Sequence, residues 1–385
     1  MVLDIQAQDL SKYCTLGIGC VAQRFVAVND LESLKEAIKH AKTENIPYFI
    51  LGGGSNMLIN DEAFEGLVIH LQMADIQFLD KHRVEVDAGA NWDDVVVGTC
   101  ERNWGGLEAM SGIPGSCGGG VVQNIGAYGQ EISEVIEFID ILEPSDLSVK
   151  RIGAKDMEFS YRHSRLKGQV QGPIVLRVGL QLAPYDAQAA KARSEAHGFR
   201  SLAMMDMRNA SQLRKHVLNT RQSKGMVYDS ADVNTHGVGS FFTNPIVPEM
   251  DASRLSAQYV WRSHVSAIGG LKDNKAQTIP MFPVEGGVKL SAAWLIEQCG
   301  YERGYMSGRA GLSQKHCLAI TNRGGASCAE VITLASAIAR KVRDKFRVLL
   351  NPEALYLGTR GIEPMPLDLD SHRESSGADN IGLKI

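Results

Sequence analysis

The chain has 385 residues, of which 44% are hydrophobic and 22% are charged, and its formal net charge is −4. A chain of this length buries a full core and is expected to form two or three domains. The acidic balance argues against a nucleic-acid coat or a polybasic membrane surface. No apolar run approaches the roughly 20 residues of a membrane span, and the start lacks the pattern of a signal peptide. We therefore expect a cytoplasmic protein with no nucleic-acid partner and no membrane insertion.

Helical and strand-like patterns alternate along the first half of the chain. Asn29 and Asp30 are expected to cap a helix. The spacing of the apolar residues in that helix indicates one buried face. The predicted elements of this half are a helix over 31–41, strands over 48–51 and 83–87, a helix over 92–102, and strands over 135–142 and 174–182.

The second half begins with a change of pattern. Residues 184–208 are polar and alanine-rich, and we interpret them as a connector or lid that precedes a helix over 212–222. A later helix is predicted to begin after Ser327, because Glu330 three residues on completes a capping box. The apolar stripe of that helix comprises Val331, Leu334, Ala335, Ile338, Val342 and Phe346.

The seven cysteines are odd in number and form no C-x-x-C pair. This usage is typical of reduced thiols in a reducing compartment, most of them in the core. Cys117 lies inside a glycine-rich stretch, where a ligand could reach it, and a nucleophilic role there stays open. The histidines are scattered and unpaired, so we expect no metal site.

Two glycine-rich stretches carry the strongest functional signal. The first, L-G-G-G-S-N at 51–56, directly follows a predicted strand, and the second, G-I-P-G-S-C-G-G-G-V-V-Q-N-I-G-A-Y-G, covers 112–129. Glycine lets the backbone lie flat against a ligand, with its N–H groups directed at a phosphate or a ring edge. A turn-rich loop would explain one such cluster equally well. Two clusters favour an extended cofactor with a diphosphate and a ring system, although no G-x-G-x-x-G pattern of a Rossmann site occurs.

Four further segments carry polar groups in unusual company. They are F-S-Y-R-H-S at 159–164, G-S-F-F-T-N-P at 239–245, K-L-S-A-A-W-L-I-E at 289–297, where we expect a helix to start, and N-P-E at 351–353, just before a predicted terminal strand. Each has an ordinary explanation on its own. Arg162 could form a surface ion pair, Ser240 could be a turn hydroxyl, and Glu353 could be a solvent-exposed charge.

Taken together and in this order, the six segments resemble those of the UDP-N-acetylenolpyruvoylglucosamine reductase family, over residues 13–358. The resemblance implies an α+β fold, in which an FAD-binding module of the PCMH type, shared with vanillyl-alcohol-oxidase flavoproteins, precedes a C-terminal α+β substrate-binding domain. The implied units are FAD-binding subdomain 1 over 1–70, completed by about 347–360, subdomain 2 over 71–224 with the connector 184–208, and the substrate-binding domain over 225–346. Residues 361–385 are polar, and we expect them to form a loose tail.

The resemblance also implies a cofactor and a reaction. NADPH would reduce FAD, and UDP-N-acetylglucosamine enolpyruvate would then receive the hydride and become UDP-N-acetylmuramate, a step of peptidoglycan synthesis for the cell wall. The first glycine stretch would hold the FAD diphosphate, and the second would line the rest of the cofactor. The implied cofactor-binding residues are Gly52, Gly53, Gly54, Ser55, Asn56, Ile113, Pro114, Gly115, Ser116, Gly119, Gln123, Asn124, Gly126 and Ala127.

Three residues would carry the chemistry by the same resemblance. Hydride addition to C3 of the enolpyruvyl group leaves an enolate, and Arg162 would pair with its carboxylate as charge builds up. Glu353 would help by hydrogen bonding to that carboxylate, and Ser240 would donate the proton to C2 as a general acid. The implied substrate-binding residues are Tyr161, Lys224, Asn244 and His316. We expect a monomer whose only partners are the UDP-sugar and NADPH.

Two other functions stay open at this point. An FAD-dependent oxidase of a small alcohol or sugar would use the same cofactor fold, and a non-catalytic flavin or nucleotide-sugar binding protein would need no general acid. Three positions depart from the family pattern and receive no role: Tyr185, the only tyrosine of the connector, Phe282, where some relatives have tyrosine, and Cys14, which replaces a common asparagine.

Overall fold

The computed structural model describes residues 3–268 and 278–370, and its first unit is a four-stranded sheet with one helix. The elements are β1 (Gln6–Asp9), β2 (Val21–Val28), α1 (Leu31–Thr43), β3 (Tyr48–Leu51), β4 (Met57–Ile59) and β5 (Leu67–Leu71). The sheet order is β1-β2-β5-β3, with β2, β5 and β3 parallel. Asp30 caps α1 as predicted, because its side chain accepts the Ser33 N–H at 2.7 Å. Strand β3 ends where the first glycine stretch begins.

The second unit is a five-stranded antiparallel sheet with order β12-β11-β13-β7-β6. Its elements are β6 (Ile76–Leu79), β7 (Arg83–Asp87), α2 (Trp92–Glu101), β8 (Trp104–Gly105), α3 (Cys117–Gln123), β9 (Gly126–Ala127), β10 (Gln130–Glu131), β11 (Ile136–Glu143), β12 (Ser148–Ile152), β13 (Ile174–Gln181) and β14 (Ala183–Pro184). The predicted strands therefore hold to within one residue at either end. Helix α3 lies inside the second glycine stretch, where Ser116 caps it.

The connector over 184–208, for which the sequence predicted no helix or strand, is largely helical. It contains two helices, α4 (Ala187–Ala196) and α5 (Arg200–Ala203), before α6 (Ala210–Ser223). Asp186 caps α4, because its side chain accepts the N–H groups of Gln188 and Ala189 at 2.8 and 3.1 Å. Alanine favours helix even without an apolar stripe, so the alanine-rich composition was the signal that periodicity missed.

The third unit follows α6 and is built from short antiparallel sheets packed on a long helix. Its elements are β15 (Ile246–Val247), α7 (Glu249–Ile268), β16 (Met281–Val284), β17 (Gly287–Leu290), α8 (Ala292–Gln298), β18 (Met306–Ser307), β19 (Ala310–Leu312), β20 (Ile320–Asn322) and α9 (Cys328–Phe346). Ser327 and Glu330 form the predicted capping box of α9, whose apolar stripe is buried. The helix expected from Lys289 begins only at Ala292, because Lys289 belongs to β17 and Ser291 is the cap.

The end of the chain returns to the first unit. Strand β21 (Leu355–Leu357) pairs in parallel with β4 and antiparallel with β22 (Ile362–Glu363). The start of the expected loose tail is therefore ordered, and Met365, Leu367 and Leu369 pack against the hydrophobic core. These apolar residues alternate with prolines and aspartates, a pattern that the polar composition of the tail as a whole concealed. Residues 371–385 of the tail lie outside the described residues.

All seven cysteines are free and buried, as expected for reduced core thiols. Cys117 is 0% exposed, and burial raises the pKa of its thiol to about 12. The expectation that a ligand could reach this thiol is therefore wrong. Over the described ranges, no helix is long and apolar enough to cross a membrane, and no group of three or more His, Cys, Asp or Glu side chains could hold a metal.

Candidate active site

The two glycine stretches pack directly against each other. The Ser55 hydroxyl donates to the Pro114 carbonyl at 2.8 Å, and the Gly53 N–H donates to the Ser116 hydroxyl at 3.3 Å. A Cβ on Gly53 would lie 2.5 Å from the Gly115 Cα, a distance that backbone atoms cannot tolerate. The close approach therefore requires glycine on both sides. The paired stretches form one wall of a cavity of about 360 Å³.

Most of the predicted cofactor residues line this cavity. They are Gly52, Gly53, Gly54, Ser55, Asn56, Ile113, Pro114, Gly115, Ser116, Gly119, Gln123 and Gly126. Asn124 and Ala127 do not line it. Asn124 is fully buried, and its side-chain N–H groups donate to Glu131 Oε2 and to the Ser160 carbonyl, both at 2.9 Å. The role of Asn124 in the structure is thus to join the second glycine stretch to the turn at 160–163.

The turn that contains Arg162 is docked on the end of α3. Ser164, the last residue of the Y-R-x-S motif, is fully buried and donates to the Val122 carbonyl at 2.7 Å. Arg162 has a φ of 55°, a left-handed conformation that is uncommon for a residue other than glycine. Its guanidinium donates to the Gly126 carbonyl and forms an ion pair with Glu353. The turn therefore directs Arg162 into the cavity wall.

Glu353 is held by backbone contacts to two other motifs. Its N–H donates to the Phe241 carbonyl at 2.8 Å, so N-P-E runs beside G-S-F-F-T-N-P. Its carbonyl accepts the side-chain N–H of Asn56 at 3.2 Å, which ties the same segment to the first glycine stretch. Gln123 adds a side-chain contact of 3.4 Å to Oε1. Segments from all three units thus meet at Glu353, through its backbone and its carboxylate.

Ser240 precedes Phe241 and lines the cavity together with Arg162 and Glu353. Within residues 3–268 and 278–370 we find no hydrogen bond that engages its hydroxyl. The backbone three residues before Ser240 is held by Thr15, a residue that we did not predict for the site. The Thr15 hydroxyl donates to the Gly237 carbonyl at 2.7 Å. The structure therefore brings the three expected catalytic residues to one cavity and leaves the serine hydroxyl available to a ligand.

The four expected substrate residues are not among those that line the cavity, and they form two groups beside it. In the first group, the ring of Tyr161 lies 5.2 Å from the Arg162 guanidinium carbon and 5.1 Å from the Lys289 ammonium. Burial raises the pKa of Tyr161, and the neighbouring Asn244 acts in the opposite direction. Asn244 is further fixed because its Oδ1 accepts the Ala292 N–H at 3.0 Å.

The second group contains Lys224 and His316. The Lys224 ammonium lies 5.9 Å from the centre of the Tyr128 ring, and burial lowers its pKa, with the Arg221 charge adding to the effect. Burial lowers the pKa of His316 to about 4, and the charges of Lys224 and Arg303 act in the same direction. His316 is therefore neutral near pH 7, in a region that favours anions.

Arg221 is a cavity residue that sequence reasoning missed. Its Nη2 donates to the Met226 carbonyl at 2.8 Å, its buried Nε has no partner, and no carboxylate of the described chain forms an ion pair with it. Burial lowers its pKa, but a guanidinium stays charged. A cation that faces a cavity without a counter-ion suits an anionic ligand. In the sequence, Arg221 was only one position of a predicted helix.

The connector lies against the second glycine stretch and the third unit. Phe199 packs on the ring of Tyr128 at 4.9 Å, and a Cβ on Gly198 would lie 3.0 Å from Phe282. Tyr185 donates its hydroxyl to the Met207 carbonyl at 2.8 Å, within the connector itself. The Cys14 thiol lies 3.2 Å from the Met57 carbonyl. The structure gives neither Tyr185 nor Cys14 a place in the cavity wall.

Comparisons with known proteins agree with this arrangement. The family model described as FAD binding domain matches residues 22–146, and the one described as UDP-N-acetylenolpyruvoylglucosamine reductase, C-terminal domain, matches residues 231–357. The UDP-N-acetylenolpyruvoylglucosamine reductase of Corynebacterium diphtheriae is 40% identical over 356 residues, covering 91% of this chain and 90% of the relative. The chain belongs to the UDP-N-acetylenolpyruvoylglucosamine reductase family. The Mycobacterium tuberculosis member is 37% identical over 363 residues, covering 92% and 95%.

A solved structure supports the same fold. The reductase of Thermus caldophilus superimposes with a TM-score of 0.61 at 23% identity, covering 92% of this chain and 99% of that one. The expected α+β fold, with a PCMH-type FAD-binding module and the family's C-terminal domain, is confirmed. The chain is thus an FAD-containing oxidoreductase. The paired glycine stretches and Arg221, which has no carboxylate partner within the described residues, fit an anionic dinucleotide, so the residues present suit FAD.

Proposed function

We propose that this reductase-family member uses Ser240, Arg162 and Glu353 to reduce UDP-N-acetylglucosamine enolpyruvate to UDP-N-acetylmuramate with NADPH, in peptidoglycan synthesis. One observation carries the proposal. The Arg162–Glu353 ion pair and the unengaged hydroxyl of Ser240 line the cavity that the two glycine stretches form. A flavin-binding wall, a guanidinium and a proton donor are the groups that reduction of an enolpyruvyl ether requires.

FAD would be held by the glycine stretches and by Arg221, which line the same cavity. When bound, FAD would supply hydride transfer from NADPH to C3 of the enolpyruvyl group. Arg162 is oriented by Glu353 and by the Gly126 carbonyl, so its remaining N–H groups can donate to the substrate carboxylate. This contact strengthens as the enolate develops, which is the condition for lowering the barrier.

Ser240 would complete the reaction by donating its proton to C2. A serine hydroxyl is a weak acid, so the alkoxide that it leaves must be stabilised. Arg162 and Arg221 line the same cavity, and their positive charges favour that alkoxide. The chain thus supplies both the proton and the positive charges that stabilise the alkoxide left on Ser240.

Substrate binding would use the two polar groups beside the cavity. Lys224, near neutral His316, suits the diphosphate of the UDP-sugar, because a partly desolvated ammonium gains from a nearby anion. Tyr161 and Asn244, with Lys289, would contact the sugar side or the nicotinamide of NADPH. One chain supplies every group of this site, which supports a monomer, and we place the reaction in the cytoplasm, where NADPH and nucleotide sugars are supplied.

An anaerobic titration tests the proposal. The purified protein is reduced with NADPH and then mixed with UDP-N-acetylglucosamine enolpyruvate, while the flavin absorbance is followed. We expect bleaching by NADPH and stoichiometric recovery with the UDP-sugar. Bleaching without recovery, together with rapid re-oxidation by oxygen, would favour the oxidase of a small alcohol or sugar. A flavin that neither NADPH nor the UDP-sugar changes would favour a binding protein.

A further inference from the structure

Lys167 is a charged residue next to the proposed catalytic groups that the mechanism has not used. Its ammonium donates a hydrogen bond to the Arg162 carbonyl at 2.9 Å. The neighbours of Lys167 on both sides, Leu166 and Gly168, line the cavity, but Lys167 itself is not part of the lining. Burial lowers its pKa, the Glu353 charge opposes that effect, and the Arg162 charge adds to it. Lys167 therefore lies behind Arg162, within electrostatic range of the ion pair.

The contact falls on a backbone that needs support. Arg162 has a φ of 55°, and such a conformation persists only where its surroundings hold it. The turn is closed by two backbone hydrogen bonds between Ser160 and His163, at 3.0 and 3.1 Å. Neither involves the Arg162 carbonyl, and in the described chain no backbone N–H donates to that oxygen. The His163 N–H belongs to the same peptide group as the Arg162 carbonyl, so its bond to Ser160 holds one side of that plane. The Lys167 ammonium holds the carbonyl side, and the two bonds together set the direction of the Arg162 side chain.

We propose that Lys167 is the positioning residue for Arg162, which it holds in the orientation that receives the substrate carboxylate. This inference rests on the proposed function, because it assigns Lys167 to the reaction that Arg162 serves. The ammonium also places a second positive charge near Glu353, which contacts Arg162 and Gln123. Lys167 thus acts through Arg162 and is not expected to contact the substrate.

Three variants test the role of Lys167. Lys167→Met keeps the apolar stem and removes the donor, and Lys167→Arg restores a charged donor. Lys150→Met makes the same change at an exposed lysine of β12, which only forms a 3.7 Å surface ion pair with Glu143. For each protein, the two half-reactions are followed anaerobically. Calorimetry measures the affinity of the oxidised protein for UDP-N-acetylglucosamine enolpyruvate and for UDP-N-acetylglucosamine, which lacks the carboxylate.

We expect Lys167→Met to slow flavin re-oxidation by the UDP-sugar about tenfold or more, since a charge-assisted hydrogen bond is lost. Affinity should fall about tenfold for the ligand with the carboxylate and stay within about twofold for the ligand without it. Reduction by NADPH should be unchanged, and Lys167→Arg should recover most of the loss. Equal losses for both ligands and both half-reactions, or behaviour like that of Lys150→Met, would overturn the inference and leave the proposed function standing. An unsubstituted protein that the UDP-sugar neither binds nor re-oxidises would overturn both.

Discussion

Arg162 and Glu353 form an ion pair in which the Arg162 Nε atom lies 3.0 Å from Glu353 Oε1. The side chains are 19% and 16% exposed, so the pair is largely shielded from water. One partner belongs to a turn on the antiparallel sheet, and the other precedes the strand that returns to the first unit. The pair therefore joins distant parts of the chain at the cavity, where its geometry sets how Arg162 meets a ligand.

Glu353→Gln should separate the charge of this residue from its shape. Arg162 would keep its bond to Gly126 but lose its counter-ion, so the free energy of unfolding should fall by about 1–3 kcal/mol. Re-oxidation by the UDP-sugar should slow about 10- to 100-fold, because Arg162 is no longer held in place. Urea unfolding of the single variants Glu353→Gln and Arg162→Met and of the double variant measures the coupling. Additive effects on stability would show that the ion pair contributes nothing.

Ser240→Ala should affect only one half-reaction. Reduction of the flavin by NADPH needs no proton on C2, so its rate should stay within about twofold. Re-oxidation by the enolpyruvyl substrate should fall about 10²- to 10⁴-fold, the usual contribution of a general acid. Ser230→Ala, at an exposed serine outside the cavity lining, is the matched control for stopped-flow measurement. Equal losses in both half-reactions would count against a proton donor at residue 240.

Gly53→Ala should lower the affinity for FAD. The added methyl group would lie 2.5 Å from the Gly115 Cα and 2.7 Å from the Ser116 nitrogen, both backbone atoms, so the two glycine stretches must separate. We expect the purified variant to lose most of the visible absorbance that is characteristic of bound oxidised flavin. Gly153→Ala is the control, because its φ is −89° and its Cβ would make only a 3.7 Å contact with Asp156. A Gly53→Ala protein with full flavin content would show that the close approach is not required.

Much of the fold followed from local patterns in the sequence. Cap residues such as Ser327 and Asp30 act on their own helix, so their positions predict where the helix begins. The helices of the connector could not be predicted in this way, because α4 has no apolar face and therefore shows no helical period in the sequence. The prediction for the chain end failed because its three packed apolar residues were grouped with the polar residues that follow them. Local signals thus predict elements well only where burial imposes a period on the sequence.

The site was predictable in part for a different reason. Motifs revealed which residue types were present, and the glycines and Arg162 do line one cavity. Motifs could not reveal which member of a motif faces inward, so Asn124 was taken for a ligand contact although it caps α3 and binds the 160–163 turn. Arg221 and Lys167 become visible only when the fold supplies their neighbours. Side-chain direction and long-range pairing are properties of the tertiary structure.

His316 should make stability depend on pH. Its pKa is about 4 in the folded protein and about 6.5 when unfolded. Between these values the unfolded chain takes up a proton that the folded chain rejects, so the free energy of unfolding falls as the pH drops from 6.5 towards 4. The loss from this group should be about 1–2 kcal/mol between pH 7 and pH 5. His316→Gln lacks the titrating group, so urea unfolding of this variant should show a smaller decrease over that range. His40→Gln, on α1 and away from the cavity, controls for the general effect of removing a histidine. If His316→Gln and the unsubstituted protein lose stability in parallel, burial does not lower the pKa of the His316 imidazole, and the prediction is wrong.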